Sequence, residues 1–274
     1  MNIALFYFSG TGNTWWAGKE IKKRLEKCNS VEMYSVENSL MKDQDFLMSQ
    51  LKKADHIILG YPVYASRMPE PLHNFINELP IRENPVNVSV FVTQSVASGD
   101  GAIYDYKRLK EKGLLLKQTL YLKMGNNYYI PQLRISPVRG KEHIEKLNNR
   151  ALGKISSFCN DIENIRKSTH GLNPFGITLG VFQRAFFSTT IGVAKKNLLI
   201  DADSCTKCKL CEMNCPVGNI DLTGNSFGSK CISCMRCYNF CPKNAVLFGE
   251  KTRDTKIFYR YKGPVKLNLR DLQI

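Results

Sequence analysis

No apolar run in this sequence is long enough to span a bilayer, which excludes an integral helical membrane protein as the first expectation. Ile3 to Phe8 is apolar but short and lacks a preceding basic region, so it reads as a buried strand and not as a secretory leader. Phe175 to Phe187 is interrupted by Gln183 and Arg184. A soluble, cytoplasmic protein is expected. Acidic residues are also scarce, 24 against 39 Lys and Arg, for a net charge of +15, and nothing marks out a catalytic general acid. Such an excess invites nucleic acid as a partner. The basic stretch Lys251, Arg253, Lys256, Arg260, Lys262, Lys266 and Arg270 lacks a recognisable helix-turn-helix, however, and reads as a solvated tail wrapping the C-terminal region. A nucleic-acid partner is therefore not expected. With 43% hydrophobic and 23% charged residues over 274 positions, the chain can bury a core and is long enough for two unequal domains.

The first half alternates β-branched or aromatic runs with amphipathic stretches, the pattern of a parallel sheet with helices on both faces. Strands are expected at Ile3 to Phe8, Val31 to Val36, His56 to Gly60, Val86 to Thr93 and Gln118 to Lys123. Helices are expected at Thr14 to Cys28, Asp43 to Lys53, Pro69 to Glu78, Ala102 to Lys112 and Lys141 to Lys167. After His170, Gly171, Pro174, Gly176 and Gly180 break up an apolar stretch. The expected division is a domain at 1–170, an apolar connection at 171–197 and a second domain at 198–274. Phe175, Phe182, Phe186 and Phe187 are expected to pack between the domains or cap the first core.

Eight of the ten cysteines crowd into Cys205 to Cys241, which favours metal ligation over disulfides. Cys205-x2-Cys208-x2-Cys211-x3-Cys215-Pro216 recurs 26 residues later as Cys231-x2-Cys234-x2-Cys237-x3-Cys241-Pro242. Three thiolates at this spacing can wrap one [4Fe-4S] cubane, and the fourth ligand comes from the other half. Cys205, Cys208, Cys211 and Cys241 are thus expected on a first cluster, and Cys231, Cys234, Cys237 and Cys215 on a second. Structural zinc would favour separated Cys-x2-Cys pairs, leaving one thiolate too many in each loop. From Leu198 to Gly249 the sequence resembles the bacterial two-cluster ferredoxins, whose small α+β domain transfers electrons. Cys28 and Cys159 fall outside the motif and are expected to be ordinary buried or half-buried thiols.

The first strand runs into Ser9-Gly10-Thr11-Gly12-Asn13-Thr14 at the start of a helix. Glycines admit an anion close to the backbone, free helix-start amides point at it, and the Ser and Thr hydroxyls can donate to it. Trp15 stands where a dinucleotide fingerprint needs glycine, and Ala17-Gly18 where a Walker loop needs Gly-Lys, so neither applies. The loop is similar to the FMN phosphate loop of the flavodoxin family, and the likeness extends over about Met1 to Lys167. It implies a flavodoxin-like doubly wound five-stranded sheet of order 2-1-3-4-5, with FMN at the carboxyl ends of the strands. It further implies flavin-ring contacts from Tyr61, Pro62, Val63 and Tyr64 after the third strand, and from Thr93, Gln94, Ser95, Gly99, Asp100 and Gly101 after the fourth. Tyr64 is the preferred stacking residue and Tyr61 the substitute.

Two cubanes and an FMN phosphate would each contribute about −2, lowering the charge to about +9. That remainder would suit an acidic redox protein, or merely a solvated basic surface. The combination resembles flavodoxin–ferredoxin fusion proteins of anaerobic microbes, which implies electron transfer between FMN and two [4Fe-4S] clusters, coupling two-electron and one-electron partners. The alternative is an FMN-dependent reductase of a small acceptor such as a quinone or nitro compound, with Gly125 to Pro131, including Asn126, Asn127, Tyr128 and Tyr129, lining its pocket.

Overall fold

The computed structural model describes residues 1–134, 136–171 and 173–273, with the backbone alone at Phe187, Ser188 and Thr190. Five strands, β1 (Asn2–Tyr7), β2 (Ser30–Ser35), β3 (His56–Pro62), β4 (Val86–Gln94) and β5 (Leu114–Lys123), form a parallel sheet in the order β2-β1-β3-β4-β5. Both faces are covered, so the central strands are apolar without alternation. On one face α1 (Asn13–Leu25) and α5 (Lys141–Glu163) bury Ala17, Ile21 and Leu25 with Ala151, Ile155 and Phe158. On the other, α2 (Gln44–Lys53), α3 (Glu70–Glu78) and α4 (Tyr106–Glu111) bury Leu47, Leu51, Leu72, Phe75, Ile76 and Leu109. This is the flavodoxin-like doubly wound fold expected.

Boundaries move where local hydrogen bonds outweigh periodicity. Residues 100–105 form tight turns, with Ile103 and Tyr104 both donating to the Asp100 carbonyl, so α4 starts at Tyr106 instead of Ala102. β5 reaches back to Leu114 beyond a register shift opposite Val88 and Ser89.

The stretch expected to be broken by glycines is instead one helix, α6 (Pro174–Lys195). Pro174 occupies the first turn, where no amide donor is needed, and Asn173 Oδ1 accepts from the Gly176 amide at 2.7 Å. Gly176 and Gly180 are small because the helix lies against the loop after β4: a Cβ on Gly99 would stand 2.5 Å from the Gly176 oxygen. The packed face is therefore Gly176, Gly180, Gln183 and Arg184, a helical spacing. Phe175, Phe182 and Phe186 do not belong to that face. Phe175, Phe182 and Phe186 are 78%, 58% and 54% exposed, which overturns the expectation that they pack between domains, and the Phe187 side chain lies outside the described residues. Among the described residues no helix is long and apolar enough to cross a membrane.

The C-terminal region is a smaller α+β unit. β6 (Leu198–Ile200) pairs antiparallel with β9 (Val246–Phe248), β7 (Ile220–Asp221) pairs with β8 (Ser226–Phe227), and α7 (Leu210–Met213) and α8 (Arg236–Phe240) lie between. Its core of Met235, Tyr238, Val246 and Phe248 also contains Ile130 and Ala194. The tail is more than a solvated wrap of this region: its basic residues other than Arg260 are exposed, but its apolar ones dock it to the sheet domain as well. Tyr261, Leu269 and Leu272 are buried, the Tyr7 hydroxyl donates to the Asp271 carbonyl at 3.3 Å, and Asn148 Nδ2 donates to the Pro264 carbonyl at 3.0 Å. Arg260 is buried as well, stacked 3.4 Å from the Tyr238 ring centre, and burial lowers its pKa to about 10.

Candidate functional site

The cysteine repeat is also a repeat of backbone conformation. Lys207 and Lys209 have φ of 51° and 60°, and their counterparts Ser233 and Met235 have 57° and 64°. Gly218 and Asn244 match in the same way at 55° and 53°. These left-handed residues bend each cysteine loop at the same relative positions. Cys205, Cys208, Cys211 and Cys241 line one pocket together with Cys237, and Cys211 is within electrostatic reach of Cys241 and Cys205. Cys234 and Cys237 are within reach of Cys231 and Cys215. The sulfurs of Cys215 and Cys241 accept from the amides of Asn219 and Ala245 at 3.2 Å each, and Cys231 accepts from Ser233 at 3.4 Å. Burial pushes the Cys211 thiol up to about 11 and Cys234 up to about 12. Bare thiolates are therefore costly here, and a bound cation is what would hold them deprotonated. An all-thiolate donor set with amide donors to sulfur fits iron-sulfur cubanes.

A second cavity, of about 210 Å³, opens at the carboxyl ends of β1, β3 and β4. Its floor is the glycine-rich loop. Ser9 Oγ accepts from the amides of Gly12 and Trp15 at 3.2 and 3.3 Å, Thr14 and Thr93 hydroxyls meet at 2.8 Å, and Asn127 Nδ2 donates to Thr11 Oγ1 at 2.6 Å. The first turn of α1 holds no acidic residue, leaving its positive end available to an anion. Gly12 has φ of 99°, and a Cβ there would collide with Leu267 of the tail. The tail thus closes the loop from behind, where the Tyr261 hydroxyl donates to Asn13 Oδ1 at 2.5 Å. Tyr64 Oη is buried in the cavity wall without a hydrogen-bond partner among the described residues. A cavity with a helix-start anion cradle and an orphaned phenol fits a phosphorylated flavin.

Of the residues expected to hold the flavin, Ser9, Gly10, Thr11, Asn13, Thr14, Pro62, Val63, Tyr64, Thr93, Gln94 and Ser95 line this cavity. Others stand elsewhere. Tyr61 is 1% exposed in the sheet core and donates to the Gly101 carbonyl at 3.0 Å, because it is still in β3 and faces α3 and α4. Gly99 and Asp100 serve α6, since Asp100 accepts two hydrogen bonds from Arg184 at 2.6 and 2.9 Å and Gly99 admits the helix backbone. Gly101 lies under Val63. Cys28 is exposed, not half-buried, whereas Cys159 is buried.

The sequence did not point to Gln183, Ile191 or Ser233, all of which line the cavity. Gln183 is fixed by the Ala97 carbonyl at 2.9 Å and by the Ser66 hydroxyl. Ser233 sits between Cys231 and Cys234, so the cysteine loop forms part of the cavity wall. Arg236, also within that motif, donates to the carbonyls of Ser9 at 2.7 Å, Gly10 at 3.1 Å and Asn214 at 2.9 Å. A Cβ on Gly10 would stand 2.6 Å from the Cys234 carbonyl oxygen and 2.6 Å from Tyr64 Oη. The glycine-rich loop and the second cysteine loop are in direct contact.

Two segments match a 4Fe-4S binding domain, residues 198–220 and residues 228–247. Two uncharacterized proteins of Methanocaldococcus jannaschii are similar, at 35% identity over 83 residues and 36% over 77. The matches cover 30% and 28% of this chain and the same shares of those proteins, so they span less than a third of these relatives. Among solved structures, an archaeal flavodoxin covers 60% of this chain and 99% of its own at 16% identity and TM-score 0.40. The two-electron reduced flavodoxin of Megasphaera elsdenii covers 43% and 84% at 23% identity and TM-score 0.37.

Proposed function

From a chain that joins a flavodoxin-like sheet to 4Fe-4S binding segments, we propose an electron-transfer protein in which FMN and two [4Fe-4S] clusters exchange electrons within one polypeptide. The observation that carries this reading is the shared wall: Ser9, Gly10, Thr11, Asn13, Thr14 and Ser233 line one cavity, and Gly10 touches Cys234. The clusters would cycle single electrons and the flavin would take or release a pair, which is the chemistry these groups supply when bound.

This chain's own residues provide the holding and the exclusion of water. Ser9, Thr11 and Thr14 with the first amides of α1 would hold the phosphate, and Tyr64 would lie along the ring. Gln183 and Gln94, anchored by Ala97 and Ser98 respectively, present amides to the cavity. Cys205, Cys208, Cys211 and Cys241 would hold one cluster, and Cys231, Cys234, Cys237 and Cys215 the other. The proposed division is a flavin domain at 1–170 and a cluster domain at 198–274, with α6 between them. Anaerobic purification with iron, sulfide and flavin counted per chain tests it. About eight irons, eight sulfides and one FMN are expected, and zinc in place of iron, or no retained flavin, would end it.

A second reading is an FMN-dependent reductase of a quinone or nitro compound. Gly125, Asn126, Asn127 and Tyr128 line the cavity, which favours it. Turnover of such acceptors that survives removal of iron would support this reading, and a requirement for the clusters would support the first.

A further inference from the structure

We infer, on the strength of the electron-transfer reading, that the two cysteine loops have unequal roles and that the lysine-rimmed face around Cys208 is the docking surface for an acidic one-electron carrier protein. The inner loop is identified by its contacts. Ser233 lines the flavin cavity, Cys234 is 9% exposed with its carbonyl against Gly10, and Arg236 fastens the loop to the carbonyls of Ser9 and Gly10. The outer loop has no such partner in the sheet domain among the described contacts, and Cys208 is its exposed cysteine.

The outer loop's surroundings point to the carrier's chemistry. Lys207, Lys209 and Lys243 are exposed, and Lys209 and Lys243 share a pocket rim with Cys208. Lys207 and Lys209, both exposed and both left-handed in backbone, flank Cys208 in the chain. Met213, 66% exposed, stands one helical turn from Lys209, whose carbonyl accepts its amide. An apolar spot within a basic rim is the anatomy of a transient interface with an acidic partner. The local acids do not cancel it. Asp201 is paired with Arg253, Glu212 accepts from the Leu222 amide, Asp221 accepts from the Thr223 amide and hydroxyl, and Asp203 is exposed. Each encounter would oxidise a reduced carrier by one electron and reduce the outer cluster by one. Two encounters, with two protons from solvent, would reduce the flavin fully through the inner cluster.

The test uses the loaded chain and a purified acidic [2Fe-2S] ferredoxin as the probe. Carbodiimide, which joins lysine to carboxylate, should cross-link the ferredoxin to Lys207, Lys209 and Lys243, as read by mass spectrometry. The variant Lys207→Glu, Lys209→Glu, Lys243→Glu should retain its iron and FMN. It should lose at least about tenfold in association rate with reduced ferredoxin at low salt, with a flatter salt dependence. Reduction by methyl viologen radical, a small cation, should not slow. Cross-links concentrated on lysines of the sheet domain, or an unchanged association rate, would overturn the docking face. Iron and FMN are counted in the unsubstituted chain as well, and absence of either there would instead count against the electron-transfer reading.

Discussion

Arg236 grips Glu37 with two hydrogen bonds, Nη1 to Oε1 at 2.9 Å and Nη2 to Oε2 at 2.7 Å, and both side chains are nearly sealed from solvent. The pair joins a cysteine-loop residue to the segment after β2, while the same guanidinium holds the glycine-rich loop from beneath. Removing either partner would leave a buried charge without compensation. Glu37→Gln and Arg236→Gln should each lower unfolding stability by about 3–5 kcal/mol, and Arg236→Gln should also weaken FMN binding by freeing two loop carbonyls. Urea unfolding followed by a fluorescence titration with FMN checks both, and the double variant should lose less than the sum of the two.

In the proposed crossed ligation, Cys215 would be a ligand of the cluster held by Cys231, Cys234 and Cys237. Cys215→Ser should therefore spare the Cys208 cluster, and reconstituted samples should hold between about four and about eight irons per chain. EPR of the reduced sample should show only the signal of the Cys231 cluster altered.

Asp100 looks like a flavin contact in the sequence and is an ion-pair partner in the fold. Asp100→Asn should cost about 3–5 kcal/mol by stranding buried Arg184. Its effect on thermal stability should exceed its effect on FMN affinity, which differential scanning and FMN titration separate.

His56 is 4% exposed in β3, meets Ser89 Oγ at 2.7 Å, and burial lowers its pKa from 6.5 to about 4. The unfolded chain binds this proton more readily than the folded one. Its contribution is therefore complete above pH 6.5 and is lost as pH falls towards 4, by up to about 3 kcal/mol. Urea unfolding between pH 5 and 7 should show stability rising with pH, and His56→Asn should flatten the slope.

The sheet order and the eight-cysteine repeat were legible because each is written in local spacing: apolar runs at βα intervals, and cysteines and prolines in register. The glycine-rich loop was legible for the same reason, since β1 leads directly into it. What escaped were contacts between distant segments. Gly176 and Gly180 read as helix breakers because nothing nearby in sequence announces that Gly99 will lie against them. Tyr61 and Tyr64 are three residues apart, yet the end of β3 at Pro62 puts one in the core and the other in the cavity wall. Nothing beside Arg236 in the sequence marks it out, and only the fold brings it under Ser9 and Gly10. The tail looked soluble by charge, although Tyr261, Leu269 and Leu272 were the residues that docked it.

The shared wall between cavity and cysteine loop is tested most directly by anaerobic rapid mixing of the fully loaded chain with a limited amount of one-electron reductant, following cluster and flavin absorbance together. Electrons should appear on the clusters first and then on the flavin in a phase whose rate does not change with protein concentration. Clusters that stay reduced beside an oxidised flavin, or flavin reduction that speeds up in proportion to protein concentration, would contradict it.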